Sequence, residues 1–142
     1  MVKVAVGSDH GGFEYKAKII DYLKEHNFEY EDVGTFTKDS CDYPIIAKKV
    51  ANKVVSGEAD KGILICGTGI GMSITANKVK GIRAALCSDT FSARATRAHN
   101  NSNILCLGER VIGDCLALDI VDVWLYTEFE GGRHQRRIDE IE

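Results

Sequence analysis

Lys61-Gly62-Ile63-Leu64-Ile65-Cys66-Gly67-Thr68-Gly69-Ile70-Gly71 is the stretch whose reading decides the fold. Positions 62–66 form an unbroken apolar run, as expected of a strand covered on both faces. The run ends in a thiol. A glycine-rich turn, residues 67–71, then leads into a short helix reaching about residue 78. Strand, glycine turn and helix in that order open a βαβ unit.

The same alternation extends in both directions. Upstream, 2–6 reads as a buried strand, and 11–26 has helical spacing at Phe13, Ala17, Ile20 and Leu23. Residues 28–33 read as a second strand closed by Gly34, and 35–42 as a polar loop. Pro44, the only proline, suits the first turn of a helix over 45–56, with Gly57 just past its end. Downstream, 83–87 reads as a fourth strand. Ser88-Asp89 offers a cap for a helix running to about 100, and 103–107 is a fifth strand. Helices over 114–126 and 133–142 complete the chain. The pattern predicts an α/β fold, a five-stranded parallel sheet with helices on both faces.

With 142 residues the chain has room for a single domain, 1–142. Its formal charge of -3, from 18 basic and 21 acidic residues, argues against a nucleic-acid partner, whose binding domains are usually basic. No stretch approaches the roughly 20 apolar residues of a membrane span. The N-terminal apolar run is broken at once by Ser8-Asp9-His10, too early for a signal peptide. A cytosolic protein with no membrane partner is expected. The five cysteines are odd in number and contain no C-x-x-C pair, so neither a disulfide framework nor a zinc site is indicated. Cys87 and Cys106 end apolar runs and read as small buried hydrophobes.

In open α/β sheets ligands bind outside the carboxyl ends of the strands. Ser8-Asp9-His10, Cys66 with the glycine turn, and Ser88-Asp89 all fall there. The turn Gly67-Thr68-Gly69-Ile70-Gly71 is either a plain tight turn or an anion hole built from backbone N–H groups at a helix start. It matches neither G-x-G-x-x-G nor the P-loop. Cys66, just before it, is either a structural thiol or a thiolate whose pKa the helix start lowers. His99-Asn100 closes a helix, and Asp9 could simply cap the first one. Arg133 and Arg137, four apart, share a helical face and could clamp a phosphate. His134 is expected at the surface.

Taken together, Ser8-Asp9-His10-Gly11-Gly12, Asp42-Tyr43-Pro44, Cys66–Ser73, Asn77-Lys78, Gly81–Ala84, His99-Asn100 and Gly131–His134 resemble the ribose-5-phosphate isomerase B family, which includes galactose-6-phosphate and allose-6-phosphate isomerases. The resemblance spans nearly the whole chain. It implies a Rossmann-like α/β/α sandwich and a homodimer with a shared active site, in some members a dimer of dimers. It implies no metal and no organic cofactor. The implied reaction interconverts ribose 5-phosphate and ribulose 5-phosphate through a cis-enediolate. Six-carbon sugar phosphates are alternative substrates, and a non-catalytic phosphate-binding module is a third reading.

The resemblance also implies roles. Cys66 would be the base, and the backbone of Gly67, Gly69, Ile70 and Gly71 would hold the enediolate oxygen. His99 would open the sugar ring, with Thr68 nearby. Asp9, Tyr43 and Asn100 would bind the sugar. His10, Arg110, Arg133 and Arg137 would hold the phosphate, some of them contributed by a partner subunit. A branch of the family that lacks the cysteine uses a glutamate in the turn. Ile70 and Met72 cannot replace it, which leaves Cys66 as the base.

Overall fold

The computed structural model describes residues 2–142. Strand β1, Lys3–Ser8, leads through a 3-10 turn at His10–Gly12 into helix α1, Phe13–Glu25. The spacing predicted a continuous helix from residue 11, but its start is tightened. The Gly11 N–H donates to the Asp9 carboxylate at 2.8 Å. Gly12 is pressed against β3 so closely that a Cβ would lie 2.4 Å from the Ile65 carbonyl oxygen. The chain continues with β2 (Glu29–Gly34), α2 (Tyr43–Val55, with Pro44 in its first turn), β3 (Lys61–Cys66) and α3 (Ile70–Ala76). It ends with β4 (Ala84–Leu86), α4 (Thr90–Asn100), β5 (Ile104–Gly108), α5 (Asp114–Tyr126) and α6 (Arg133–Asp139). Asp89 caps α4 as expected, accepting from the Ser92 N–H at 2.6 Å.

All strand pairings are parallel, in the order β2-β1-β3-β5-β4. Successive side chains alternate between two apolar layers, which explains why the strands read as unbroken apolar runs. On one face Val4, Val6, Ile63, Ile65, Leu105 and Leu107 pack with Ile19 and Leu23 of α1 and with Ile120 and Trp124 of α5. On the other, Ala5, Leu64, Cys66 and Cys106 pack with Ala47 and Val50 of α2 and with Met72 and Ala76 of α3. Cys87 and Cys106 are buried as expected. Burial pushes the Cys87 thiol up to about 11 and the Cys106 thiol higher still.

Strand β4 is shorter than its apolar run. It is an edge strand, and side-chain amides take its backbone groups. Asn77 bonds both the N–H and the carbonyl of Ala84, at 2.8 and 3.0 Å, and Asn103 accepts from the Arg83 N–H at 2.8 Å. An edge closed in this way offers little to a further strand. From β1 the chain moves outward to β2, then crosses back to β3 on the other side of β1. The sheet order therefore reverses between β1 and β3, and the crevice at their carboxyl ends is the place where such folds bind ligands. No helix among the described residues is long and apolar enough to cross a membrane.

Candidate active site

At that reversal point the ends of β1 and β3 and the start of α3 enclose a crevice of about 440 Å³. Cys66, the last residue of β3, is buried in its wall. The turn after it is held from two sides. The Cys66 and Gly67 carbonyls accept from the N–H groups of Glu109 and Arg110 at 2.9 and 3.0 Å, which ties the turn to the loop after β5. The Glu109 carboxylate in turn accepts from the Tyr15 N–H at 2.8 Å.

Gly69 stands at φ +80, a left-handed conformation that L side chains adopt at a cost. Its N–H donates to Cys66 Sγ at 3.0 Å. Thr68 Oγ1 accepts from the Ile70 N–H at 3.2 Å, so the hydroxyl is anchored at the mouth of the helix.

The rest of the crevice comes from separate elements. The Tyr43 ring, at the start of α2, packs against Gly71, where a Cβ would fall 2.5 Å from Cε1. The Arg110 guanidinium lies over Gly67 and lines the same crevice as Cys66. Asp9, Thr68, Ile70 and Ile74 complete the lining. Ile74, absent from the sequence-based set, is apolar, and nothing in its spacing separates it from an ordinary helix residue. His10 is exposed beside the crevice. Its Nδ1 faces the Cys41 N–H at 3.2 Å, which fastens the polar loop that precedes Tyr43.

Four expected residues lie outside this crevice within the chain. His99 borders a smaller cavity with Phe91, Arg94 and Glu130, and Asn100 lines another with Arg83 and Glu142. Arg133 and Arg137 are exposed on α6 and do not line the Cys66 crevice. His134, expected at the surface, is buried. Its ring stacks on that of His99, with centroids 4.3 Å apart and planes 14° from parallel. The i,i+4 relation between Glu130 and His134 was the available sequence signal for this grouping. Among the described residues, His99, Glu130 and His134 are the His, Cys, Asp and Glu side chains grouped closely enough to hold a metal ion, and they lie away from Cys66.

A doubly wound parallel sheet with a thiol, a glycine turn and a guanidinium at its reversal point defines an α/β protein built around a small-molecule site. Four likenesses narrow that class. The Ribose/Galactose Isomerase family model matches residues 4–141. Ribose-5-phosphate isomerase B of Escherichia coli is 51% identical over 99% of this chain and 95% of its own length. The solved Clostridium thermocellum ribose-5-phosphate isomerase B is 56% identical, with a TM-score of 0.98 over 99% of this chain and 95% of its own. The Mycoplasma genitalium ribose-5-phosphate isomerase B, solved with bound ribulose 5-phosphate, is 46% identical, with a TM-score of 0.95 over 99% and 93%. The chain belongs to the Ribose/Galactose Isomerase family, and it is a sugar-phosphate isomerase of the ribose-5-phosphate isomerase B type.

Proposed function

We propose that the protein interconverts ribose 5-phosphate and ribulose 5-phosphate, with Cys66 as the base. The observation that carries this reading is the Cys66 thiol at the sheet reversal point, with the Gly69 N–H on its sulfur at 3.0 Å. Aldose–ketose exchange needs a positioned base beside the carbonyl and fixed donors where negative charge develops. The Cys66 thiolate takes the proton from C2. The C–H electron pair becomes the C1–C2 double bond of a cis-enediolate, and a proton passes between O2 and O1. The same sulfur then returns its proton to C1. The donors for the enediolate oxygen are N–H groups of the 67–71 turn, of which those of Gly69 and Ile70 rest on Cys66 Sγ and Thr68 Oγ1 and turn to the oxygen when substrate binds.

Most of the sugar is cyclic, so a second acid–base group must open the ring. His99 has that role, with Thr68 close to the ring oxygen. Asp9, Tyr43 and Asn100 bind the hydroxyls. His10, Arg110, Arg133 and Arg137 hold the phosphate, whose remote binding energy orients the reacting carbons. Within one chain His99, Asn100, Arg133 and Arg137 lie outside the crevice. That separation supports a homodimer in which the partner subunit's copies complete the site. The reaction needs no metal or organic cofactor, and a cytosolic setting goes with it.

A coupled assay comparing ribose 5-phosphate, allose 6-phosphate and galactose 6-phosphate at equal concentration tests the substrate. Ribose 5-phosphate should give the highest kcat/KM. A higher value for either six-carbon sugar would move the assignment to that sugar, and no turnover of any of the three would favour a binding module.

A further inference from the structure

The end of α4, the segment before α6 and the first turn of α6 converge on His99, Glu130 and His134. Backbone contacts fix two of these segments. The Glu130 N–H donates to the Ala98 carbonyl at 3.0 Å, and the His134 N–H donates to the Gly131 carbonyl at 3.1 Å. The Glu130 carboxylate faces both imidazoles, with Oε1 3.5 Å from His134 Nε2 and 3.9 Å from His99 Nε2. One ligand atom from each of the three residues lies within 4.8 Å of the other two.

Two imidazoles and one carboxylate form a zinc-type donor set, which leaves a fourth position for water. Imidazole donors also favour first-row transition ions over calcium or magnesium. With bonds of about 2.1 Å, tetrahedral donors stand roughly 3.4 Å apart. The Glu130–His134 pair is already near that spacing. The His99 and His134 rings are stacked with planes 14° apart, so their in-plane lone pairs run side by side, and half-exposed His99 must swing out of the stack to join Glu130 and buried His134 on one ion.

We propose that His99, Glu130 and His134 bind a divalent transition-metal ion of the zinc class, and that the bound ion stops ring opening by occupying His99. The ion takes the nitrogen lone pair that proton transfer to or from the sugar requires. Bond making is limited to metal–ligand coordination, with no redox step. The inhibitory half rests on the ring-opening role given to His99 above; the binding half does not.

The test begins with calorimetric titration of zinc chloride into Cys66→Ala protein, from which the site thiol has been removed. The titration is repeated with Glu130→Gln or His134→Ala added, and circular dichroism confirms that each variant is folded. Affinity should fall at least about tenfold in each added variant, the loss typical even of a residue that only supports a metal ligand. Unchanged affinity in both overturns the site. In the second arm, zinc should slow ribose 5-phosphate turnover by the Cys66-containing protein. Half-inhibition of the Glu130→Gln protein should then need at least about ten times more zinc. Equal zinc sensitivity, alongside lost binding, overturns the silencing of His99. If no sugar phosphate is turned over, the proposed function fails and the calorimetric arm still decides the site.

Discussion

Gly69→Ala separates the turn's geometry from its composition. Gly69 stands at φ +80, and a Cβ there would meet Leu86 Cδ1 at 2.5 Å and the Leu107 carbonyl carbon and oxygen at 2.9 and 3.0 Å. The leucine tip can move. The Leu107 backbone lies in β5, a central strand, and has little freedom to shift. The left-handed conformation alone costs about 1–2 kcal/mol for an L side chain, and overpacking adds about 1–3 kcal/mol. The expected loss is therefore about 2–5 kcal/mol, a large part of the roughly 5–15 kcal/mol that holds an ordinary domain together.

Gly57→Ala is the matched control, because Gly57 stands at φ +84 with nothing within 4 Å of the added carbon. It should lose only the conformational part, about 1–2 kcal/mol. Urea unfolding at one fixed protein concentration measures both, since association would otherwise shift the midpoint. Relief of the clash must move the turn, and with it the N–H that sits 3.0 Å from Cys66 Sγ. The Gly69→Ala protein should therefore lose kcat more than it gains KM. Equal losses of stability in the two variants, together with an unchanged kcat for Gly69→Ala, would refute the packing argument.

Two further outcomes follow from other parts of the molecule. Burial, with Arg97 beside it, lowers Lys61 from its ordinary 10.5 to about 8, so the folded state resists its charge. Lys61→Met should be the more stable protein at pH 7, and its advantage should shrink as pH rises from about 8 to 10.5, where the unfolded lysine still holds a proton that the folded one has lost; a constant difference across that window in chemical unfolding would contradict this. Mixing inactive Cys66→Ala protein with inactive Arg133→Ala/Arg137→Ala protein should restore activity toward half per mixed dimer, because a shared site places both lesions in one site and neither in the other; no rescue, with subunit exchange confirmed by mass, would put the arginines in cis.

Most of the fold was legible because each strand buries both faces, so 62–66 and 103–107 stand out as apolar runs between amphipathic helices. The strand order was not legible. Adjacency of β3 and β5 arises from packing between distant segments, and neither strand's composition records it. The first turn of α1 was misread for a related reason, since the force that tightens it is the close approach of Gly12 to Ile65. In the site, Asp9, Cys66 and the glycine turn were readable from their place after strands. The burial of His134 was not, because only the return of α6 beside α4 brings its ring under His99.

The most direct test of Cys66 as the base is the turnover of ribose 5-phosphate by Cys66→Ala, measured alongside binding of ribulose 5-phosphate to the same protein. The thiol is buried in the crevice wall and no other side chain of the turn can accept a proton from carbon. kcat should fall by about a hundred- to ten-thousand-fold, the range supplied by a positioned base, while the ligand still binds. A kcat within about tenfold of the unaltered protein would mean that another group removes the C2 proton, and that the thiol at the end of β3 serves only to fill the core.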